Sequence, residues 1–577
     1  MIGSRLPGVR DGGRIRIGRM HFPRNHPMTA GTASPDPTLR PPLCAAAPIL
    51  SSLLPLAGGV LLARMGMAGW LPVAMLTVWV TCRRTRRSGY PEVLSLLAGY
   101  LLMVRAIVDP DPLWAQLPPR EVAVEIRIEE TFNARKPRHL AGTGRILRAG
   151  LPQDTVSGRQ AAFYLEYRDD AVPECGPGDV IEAFGVLSFL PATGERDSYT
   201  RYLLGRYIYL NLNRGFILGR VVPAGRLEQM RRVLRTASRT VLTSGSDDPQ
   251  APGAVLASMM LGERSLLTDE RMELYRKTGS FHLFAVSGLH VGSVALCLHL
   301  LAGLFRLPQE WRLLPVLAGT WAYVWLTGAN PSAMRAGIMI SCLGLARILL
   351  RQPHLFPALA LSAWLVLVTD PAQLFHLGFQ LSYAVVGSIL LVGLPMASHG
   401  HRRVAEAWLF RRHPLPPWKR LLRKLLQVSL SLACVSLSAS LASIPLIVQH
   451  FSLFTPGGIL LGPLLNPLAT FCVMAGCLAL LLAPVPAFPL GALVAKASWP
   501  AIRVMELLLQ TCLRTPGTHS QRSWSWPGTG TFLVILMLAA AWWLQRLRQG
   551  GHRLHPVSLF LPLMIVAAGL AMSSVSS

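Results

Sequence analysis

Three polar side chains stand close together in an apolar run: His282, Ser287 and His290, within residues 261–292, LGERSLLTDERMELYRKTGSFHLFAVSGLHVG. Polar groups at membrane depth are costly and usually face a bundle interior or a wet cavity. Spacing excludes one shared metal for the two histidines, since eight residues place them about 80° apart around a helix and ~12 Å along it. A serine nucleophile needs a base within hydrogen-bond reach. On helical spacing neither histidine reaches Ser287, so another helix would have to supply the base, with His376 a conceivable donor. Close helix packing through Ser287 and Gly288 is the plainer role. Further on, Arg335 is the only basic residue between Arg312 and Arg347. Its planar fork of donors suits phosphate; snorkelling to an interface weighs equally. Asp370 either pairs with Arg335 or serves the turn before Pro371, the second being preferred. Gln380 and Ser382 suit interhelical hydrogen bonds or the wall of a wet path. No G-x-x-x-x-G-K-[ST] phosphate loop is present. Cys472 and Cys477 are five apart, which is not a metal motif. Neither a cofactor nor a metal is expected.

The elements that must hold these groups are apolar. The chain has 577 residues, 51% hydrophobic and 15% charged, with mean hydropathy +0.40, against about 25% charged in an average soluble chain. An ordinary soluble enzyme, a disordered protein and a disulfide scaffold are all excluded. The net charge of +27 fits either nucleic-acid binding or a membrane protein with basic cytoplasmic turns. Its distribution decides. Residues 109–222 carry −1, residues 223–280 carry +2 and residues 281–577 carry +16. Basic clusters at Arg83–Arg87, residues 402–424 and Arg546–Arg553 alternate with turns near 370–375 and 450–456 that lack Lys and Arg.

Twelve apolar stretches approach the ~20 residues that a bilayer core demands. They run roughly over 45–63, 67–82, 91–108, 281–305, 313–328, 333–350, 354–369, 376–396, 425–449, 456–483, 531–546 and 556–573. Residues 488–513, with Lys496, Arg503 and Glu506, read as an amphipathic interfacial helix, with a spanning helix the lesser option. Placing the basic clusters inside gives a multi-pass membrane protein with a cytoplasmic N-terminus. The expected organisation is a basic disordered tail (1–43), N-terminal transmembrane helices (44–108), an extracytoplasmic domain (109–222), amphipathic linking helices (223–280) and a transmembrane domain (281–577). A cleaved leader is not expected, because the first apolar run starts late.

Within 109–222, Arg120–Glu130 alternates Val122, Val124, Ile126 and Ile128 with charged residues, the pattern of a half-buried strand. Gly142–Arg148, Gln160–Arg168, Val180–Phe189 and Tyr207–Leu212 complete five short strands, with Pro177-Gly178-Asp179 a turn. This suits a small barrel of the OB type. OB-folds often bind single strands through aromatics, for which Phe163, Tyr164, Tyr167, Phe184 and Phe189 are available. For any one of them, filling the barrel is the favoured reading, because the domain is nearly neutral. The fold class is therefore a polytopic α-helical membrane protein of about 10–13 spans with an inserted small extracytoplasmic β-barrel of OB type.

The run His282-Leu283-Phe284-Ala285-Val286-Ser287-Gly288-Leu289-His290 resembles the signature of the ComEC competence family of inner-membrane DNA-uptake channels. Three more elements resemble the family in order: Asn330–Ala336, then Asp370-Pro371 followed by Gly378–Tyr383, then Ser440–Pro445 with Phe451–Pro456. Pro177-Gly178-Asp179 and Asp197–Leu204 resemble its extracytoplasmic domain, and the likeness covers roughly residues 45–545. It implies a channel of the bacterial inner (plasma) membrane passing single-stranded DNA into the cytoplasm, for whose path the candidate lining residues are His282, Ser287, His290, Arg335, Asp370, Gln380 and Ser382. Phe163, Tyr164 and Tyr167 would contact DNA in the barrel. Implied partners are single-stranded DNA, an extracytoplasmic DNA receptor, a cytoplasmic helicase-like motor and membrane lipids, with a separate nuclease and an oligomer also compatible. The basic loop 402–424 would dock anionic lipid, DNA or the motor, although a topology signal is the preferred reading.

Two departures stand out. The His-x-His-x-Asp-His of the metallo-β-lactamase-like domain found in many members is missing, and His399-Gly400-His401 lacks the following Asp-His. The family's Asn before a Leu-Leu run is displaced to Asn466. A hydrolytic activity is not expected. A transporter of another anionic polymer or lipid-linked substrate is the alternative, since fold does not fix substrate. An intramembrane serine hydrolase ranks below it.

Overall fold

The computed structural model describes residues 42–65, 67, 71–84, 90–106, 118–132, 138–150, 156–168, 175–190, 200, 203–204, 206–246, 248–349, 354–409, 416–483, 488–524, 526, 528–549, 558, 560–571 and 573–575. The expected tail before residue 42, Arg86, Arg87, Asp197, Arg411, Arg412 and Arg553 lie outside them.

Three helices come first, α1 (Pro42–Arg64), α2 (Leu71–Arg84) and α3 (Tyr90–Ala106). Small residues let α1 and α3 approach closely. A Cβ at Gly59 would collide with the Leu96 carbonyl, and one at Gly99 with that of Leu56.

Five strands follow: β1 (Arg120–Phe132), β2 (His139–Ala149), β3 (Gln160–Tyr167), β4 (Val180–Phe189) and β5 (Leu210–Val222). They close a barrel in the order β1-β2-β3-β5-β4. Neighbours are antiparallel except β3 with β5, the five-stranded arrangement of the OB type. The apolar face of β1 turns inward as its alternation predicts, with Val122, Val124, Ile126 and Ile128 buried beside Phe163, Leu165 and Ile181. Four strands lie within a few residues of their sequence-based bounds. The fifth does not: it starts at Leu210 instead of Tyr207 and runs ten residues past the expected Leu212. Asn213-Arg214-Gly215 is a bulge through which the strand continues.

After the barrel come α4 (Arg226–Leu242), α5 (Pro252–Leu261) and α6 (Asp269–Lys277). The ends of α6 follow from its sequence. Thr268 Oγ1 accepts from the Arg271 N–H, Asp269 and Glu270 sit at the positive end of the helix dipole, and Gly279 takes a left-handed φ of 74° just beyond the last turn. A 3₁₀ turn over Phe281–Phe284 leads into α7 (Gly288–Leu304). Then follow α8 (Leu313–Leu326), α9 (Pro331–Ile348), α10 (Leu355–Thr369) and a 3₁₀ turn over Pro371–Phe375. Helix α11 (Leu377–Ser388) passes through a π turn at Ile389–Gly393 into α12 (Leu394–Leu409). The chain ends with α13 (Pro417–Phe451), β6 (Leu453–Phe454), α14 (Gly457–Leu482), α15 (Phe488–Ala497), α16 (Trp499–Arg514), β7 (Ser520–Ser523), α17 (Thr529–Gln549), α18 (Leu561–Ala571) and β8 (Ser574–Val575), the last three strands forming a small sheet.

By length and composition, four helices among the described residues can cross a membrane: Leu377–Glu406, Pro417–Phe451, Gly457–Leu482 and Thr529–Gln549. Most of the other expected spans form shorter apolar helices. The 14 residues of α8 rise only about 21 Å. The protein is thus a polytopic helical membrane protein with an inserted barrel. The largest core joins α5 and α7 to α14 and α16 through Leu256, Met260, Val291, Val473 and Met505. The segment expected as one interfacial helix is two helices, and Ile502, Met505 and Leu509 of the second are wholly buried in that core.

Candidate functional site

Helix α4 builds one wall of the site. Arg231, Arg235 and Arg239 recur at four-residue spacing with Arg232 beside them, so one face is cationic, while Met230 and Val233 are exposed on the opposite face. The cationic face binds to both sides of the protein. Towards the barrel, Arg232 Nη1 donates to Asp179 Oδ2 at 2.9 Å and Nη2 donates to the Pro177 carbonyl. Towards the helices, Arg235 Nε donates to Glu263, and its Nη2 to the Leu261 carbonyl at 3.0 Å. Arg231 pairs with Glu228 and lies against Gly328, at the end of α8.

Asp179 is fully buried in this joint. Besides Arg232 it accepts from the N–H of Gly176 at 2.9 Å and of Ala224 at 2.8 Å. Burial alone would raise its pKa, but the two backbone donors and the guanidinium together hold the carboxyl below its ordinary range.

Between the barrel, α4 and the helix ends lies a cavity of about 2750 Å³, several times the roughly 300–1,000 Å³ of a small-molecule site. Ten arginines and six carboxylates line it. Glu129, Glu130, Glu228 and Glu263 are each paired with an arginine. Three cavity arginines have no carboxylate partner among the described residues: Arg214 on β5, Arg264 before α6, and Arg335 on α9. The Arg264 guanidinium lies 4.6 Å from the centre of the Phe281 ring.

The residues expected to line a path are dispersed. Arg335 and Asp370 line the cavity; His282, Ser287, His290, Gln380 and Ser382 are not among its lining residues. Arg335 is only 4% exposed, so it does not snorkel. Its Nη2 donates to the Gly378 carbonyl at 2.7 Å and its Nε has no partner. Asp370 does not pair with Arg335. Its carboxylate accepts from Ala372 N–H at 3.2 Å and from Gln373 Nε2 at 2.9 Å, capping the 3₁₀ turn, as the turn reading expects. Gln380 donates to the Leu374 carbonyl at 3.1 Å. Ser382 is half-buried on α11. His282 is exposed, with Nδ1 3.1 Å from the Gly279 carbonyl.

Ser287 and His290, three residues apart, do reach each other, contrary to the expectation from helical spacing. The helix begins at Gly288, so Ser287 is an extended N-cap residue with φ −105° and ψ 171°. Its Oγ lies 2.8 Å from His290 Nδ1, which also accepts from the Ser287 N–H at 3.3 Å. The ring proton therefore sits on Nε2, which is buried without a partner. The pair is a helix cap, within reach but without access, because His290 is fully buried. Ser287→Ala is expected to cost about 1 kcal/mol of stability, measured by thermal unfolding, and to leave function largely intact. Loss of all function with unchanged folding would mark Ser287 as a nucleophile instead.

In the barrel, Phe163 belongs to the core and offers no free face to a ligand. Tyr167 packs against that core, and its hydroxyl accepts from the Cys175 N–H at 3.0 Å. Of the three aromatics expected to contact DNA, Phe163 and Tyr164 border the cavity, and Tyr164 alone is on the outer face of the strand. Sequence reasoning missed Arg214, Arg264 and the arginines of α4. For α4 the signal was present, as four arginines on one helical face.

A family model described as "Competence protein" matches residues 259–547. The chain is similar to ComE operon protein 3 of Bacillus subtilis (strain 168), 28% identical over 283 residues, covering 49% of this chain and 32% of that protein. It is similar to uncharacterized protein YcaI of Escherichia coli (strain K12), 26% identical over 339 residues, covering 56% and 39%. It is also similar to competence protein ComA of Neisseria gonorrhoeae, 29% identical over 167 residues, covering 26% and 23%. The chain thus spans between about a quarter and two fifths of the length of these relatives. No solved structure matches it.

Proposed function

Because the chain belongs to the competence protein family, we propose that it is an inner-membrane channel that passes single-stranded DNA into the cytoplasm during DNA uptake. The observation that carries this reading is the cavity, which is too large for one small ligand and has unpaired guanidinium groups on both the barrel side and the helix side. Phosphates spaced along a strand are satisfied by such groups in turn, and their release is kept easy because most of the other arginines are already neutralised by glutamates. On this reading the barrel and α4 lie outside the membrane and receive the strand from a DNA receptor. A helicase-like motor on the cytoplasmic side pulls it. The chain itself supplies binding and passage.

Deletion of the gene, followed by separate measurement of labelled DNA in periplasm and cytosol, tests the reading. DNA is expected to accumulate in the periplasm without reaching the cytosol. Normal arrival in the cytosol would overturn it, and unchanged DNA uptake with loss of a different exported or imported anionic polymer would favour the alternative substrate.

A further inference from the structure

The bulge in β5 points to a nucleotide-sized subsite on the barrel. Arg214 is exposed and has a φ of 51°, in the left-handed region that side chains other than those of Gly, Asn and Asp seldom occupy. Its neighbours hold it there. Towards β4, Phe184 pairs with Phe216 and Val186 with Asn213, so Arg214 and Gly215 together oppose Gly185. Towards β3, Phe163 pairs with Leu212 and Leu165 with Gly215, so Asn213 and Arg214 together oppose Tyr164. The backbones are too close at this point for a side chain on Gly215, whose Cβ would collide with the Phe184 carbonyl oxygen and lie 2.6 Å from Gly185 Cα. A bulge of this kind re-aims the side chain it carries. Here it places a guanidinium on the cavity wall beside Tyr164, with no carboxylate to neutralise it among the described residues.

Tyr164 in turn packs against His139 of β2, ring centres 5.0 Å apart and planes tilted by 34°. Both line the same cavity. Three adjacent strands, β2, β3 and β5, therefore present an imidazole, a phenol ring and a guanidinium side by side on the outer face of the barrel. An aromatic platform takes a nucleobase of any sequence, and a guanidinium takes a phosphodiester. We propose that His139, Tyr164 and Arg214 form a subsite for one nucleotide of a single strand, with the base on the rings and the phosphate on Arg214. The strained backbone at Arg214 is kept because it aims that charge. This deepens the DNA reading above and rests on it.

The test uses the full chain in detergent, with fluorescence anisotropy of labelled oligothymidylate and, in parallel, of inorganic polyphosphate, which has the charge without the bases. Tyr164→Ala is expected to weaken oligothymidylate about tenfold, within the range of one lost base stack, and to leave polyphosphate unchanged, with Tyr164→Trp restoring binding. Arg214→Gly is expected to weaken both ligands and to lower the salt slope for oligothymidylate by about 0.7. The same substitution relieves the left-handed strain, so the melting temperature is expected to rise while affinity falls. A merely structural Arg214 would give the rise in stability without the loss of affinity, and that result would overturn the subsite. Equal losses of both ligands in Tyr164→Ala would overturn its base-stacking half. Failure of the unaltered chain to bind oligothymidylate at all would instead overturn the DNA reading itself.

Discussion

Asp179→Ala is expected to be the most destabilising single substitution at the joint between barrel and helices, at about 3–5 kcal/mol. That is the range for breaking a buried ion pair from one side. The carboxylate is completely buried and accepts from two backbone N–H groups and one guanidinium. Truncation leaves the Gly176 and Ala224 donors without their acceptor and frees Arg232 from its carboxylate. Arg232→Ala should cost less, because its side chain is 30% exposed and Asp179 keeps both backbone donors. Thermal unfolding of both variants and the double variant should show strong coupling, since one contact is lost in each. The pH dependence follows from the direction of the shift. The folded-state pKa lies below the ordinary 3.8, so the stabilisation is fully present above that value and is lost as pH falls through the folded-state pKa. The gap in melting temperature between the unaltered protein and Asp179→Ala is therefore expected to close in strong acid. A gap that stayed constant down to that range would mean that the charge of Asp179 is not what stabilises the joint.

How much of this was legible in the sequence depended on the range of the interaction. The strand β1 was readable because alternation of Val122, Val124, Ile126 and Ile128 is a local property, and the caps of α6 were readable for the same reason. The continuation of β5 was not. Asn213-Arg214-Gly215 has turn-forming composition, and only pairing with β3 and β4 on both sides carries the strand through it. The contact of Ser287 with His290 was missed for a smaller reason. The two residues are only three apart, a separation at which side chains on a helix are neighbours, and an N-cap side chain reaches the N3 position in the same way.

The site itself was harder to read than the fold. Counting charge by block assigned +2 to residues 223–280 and −1 to the barrel, which made the region look electrostatically bland. Folding sorts those charges by face. Most of the cavity's glutamates are consumed in pairs with arginines, and the cations left over come from three distant places in the chain: Arg214, Arg264 and Arg335. No sequence window contains all three. Tyr164 could be nominated from composition, but its distinction from Phe163 is one of strand face, and that depends on register.

Arg335→Met is expected to have the largest effect on function, reducing delivery of labelled DNA to the cytosol at least about tenfold, the equivalent of roughly 1.4 kcal/mol. Arg335 is buried at the helix side of the cavity, its Nη2 held by the Gly378 carbonyl and its Nε unpaired. Keeping a guanidinium there without a carboxylate is costly to the folded state. A cation placed at that cost is explained if a mobile anion completes its hydrogen bonds during passage. Methionine keeps an unbranched apolar stem and carries no charge, so the substitution should leave thermal stability unchanged or raise it slightly. It should leave DNA in the periplasm undiminished, because the barrel is untouched. Arg335→Lys should restore part of the flux, since it keeps the charge but loses the fork. The combination of stability kept and passage lost separates a contact on the path from a structural brace. If Arg335→Met instead unfolded more readily and passed DNA at the normal rate, Arg335 would be a tie between α9 and α11, and the path would have to run elsewhere in the cavity.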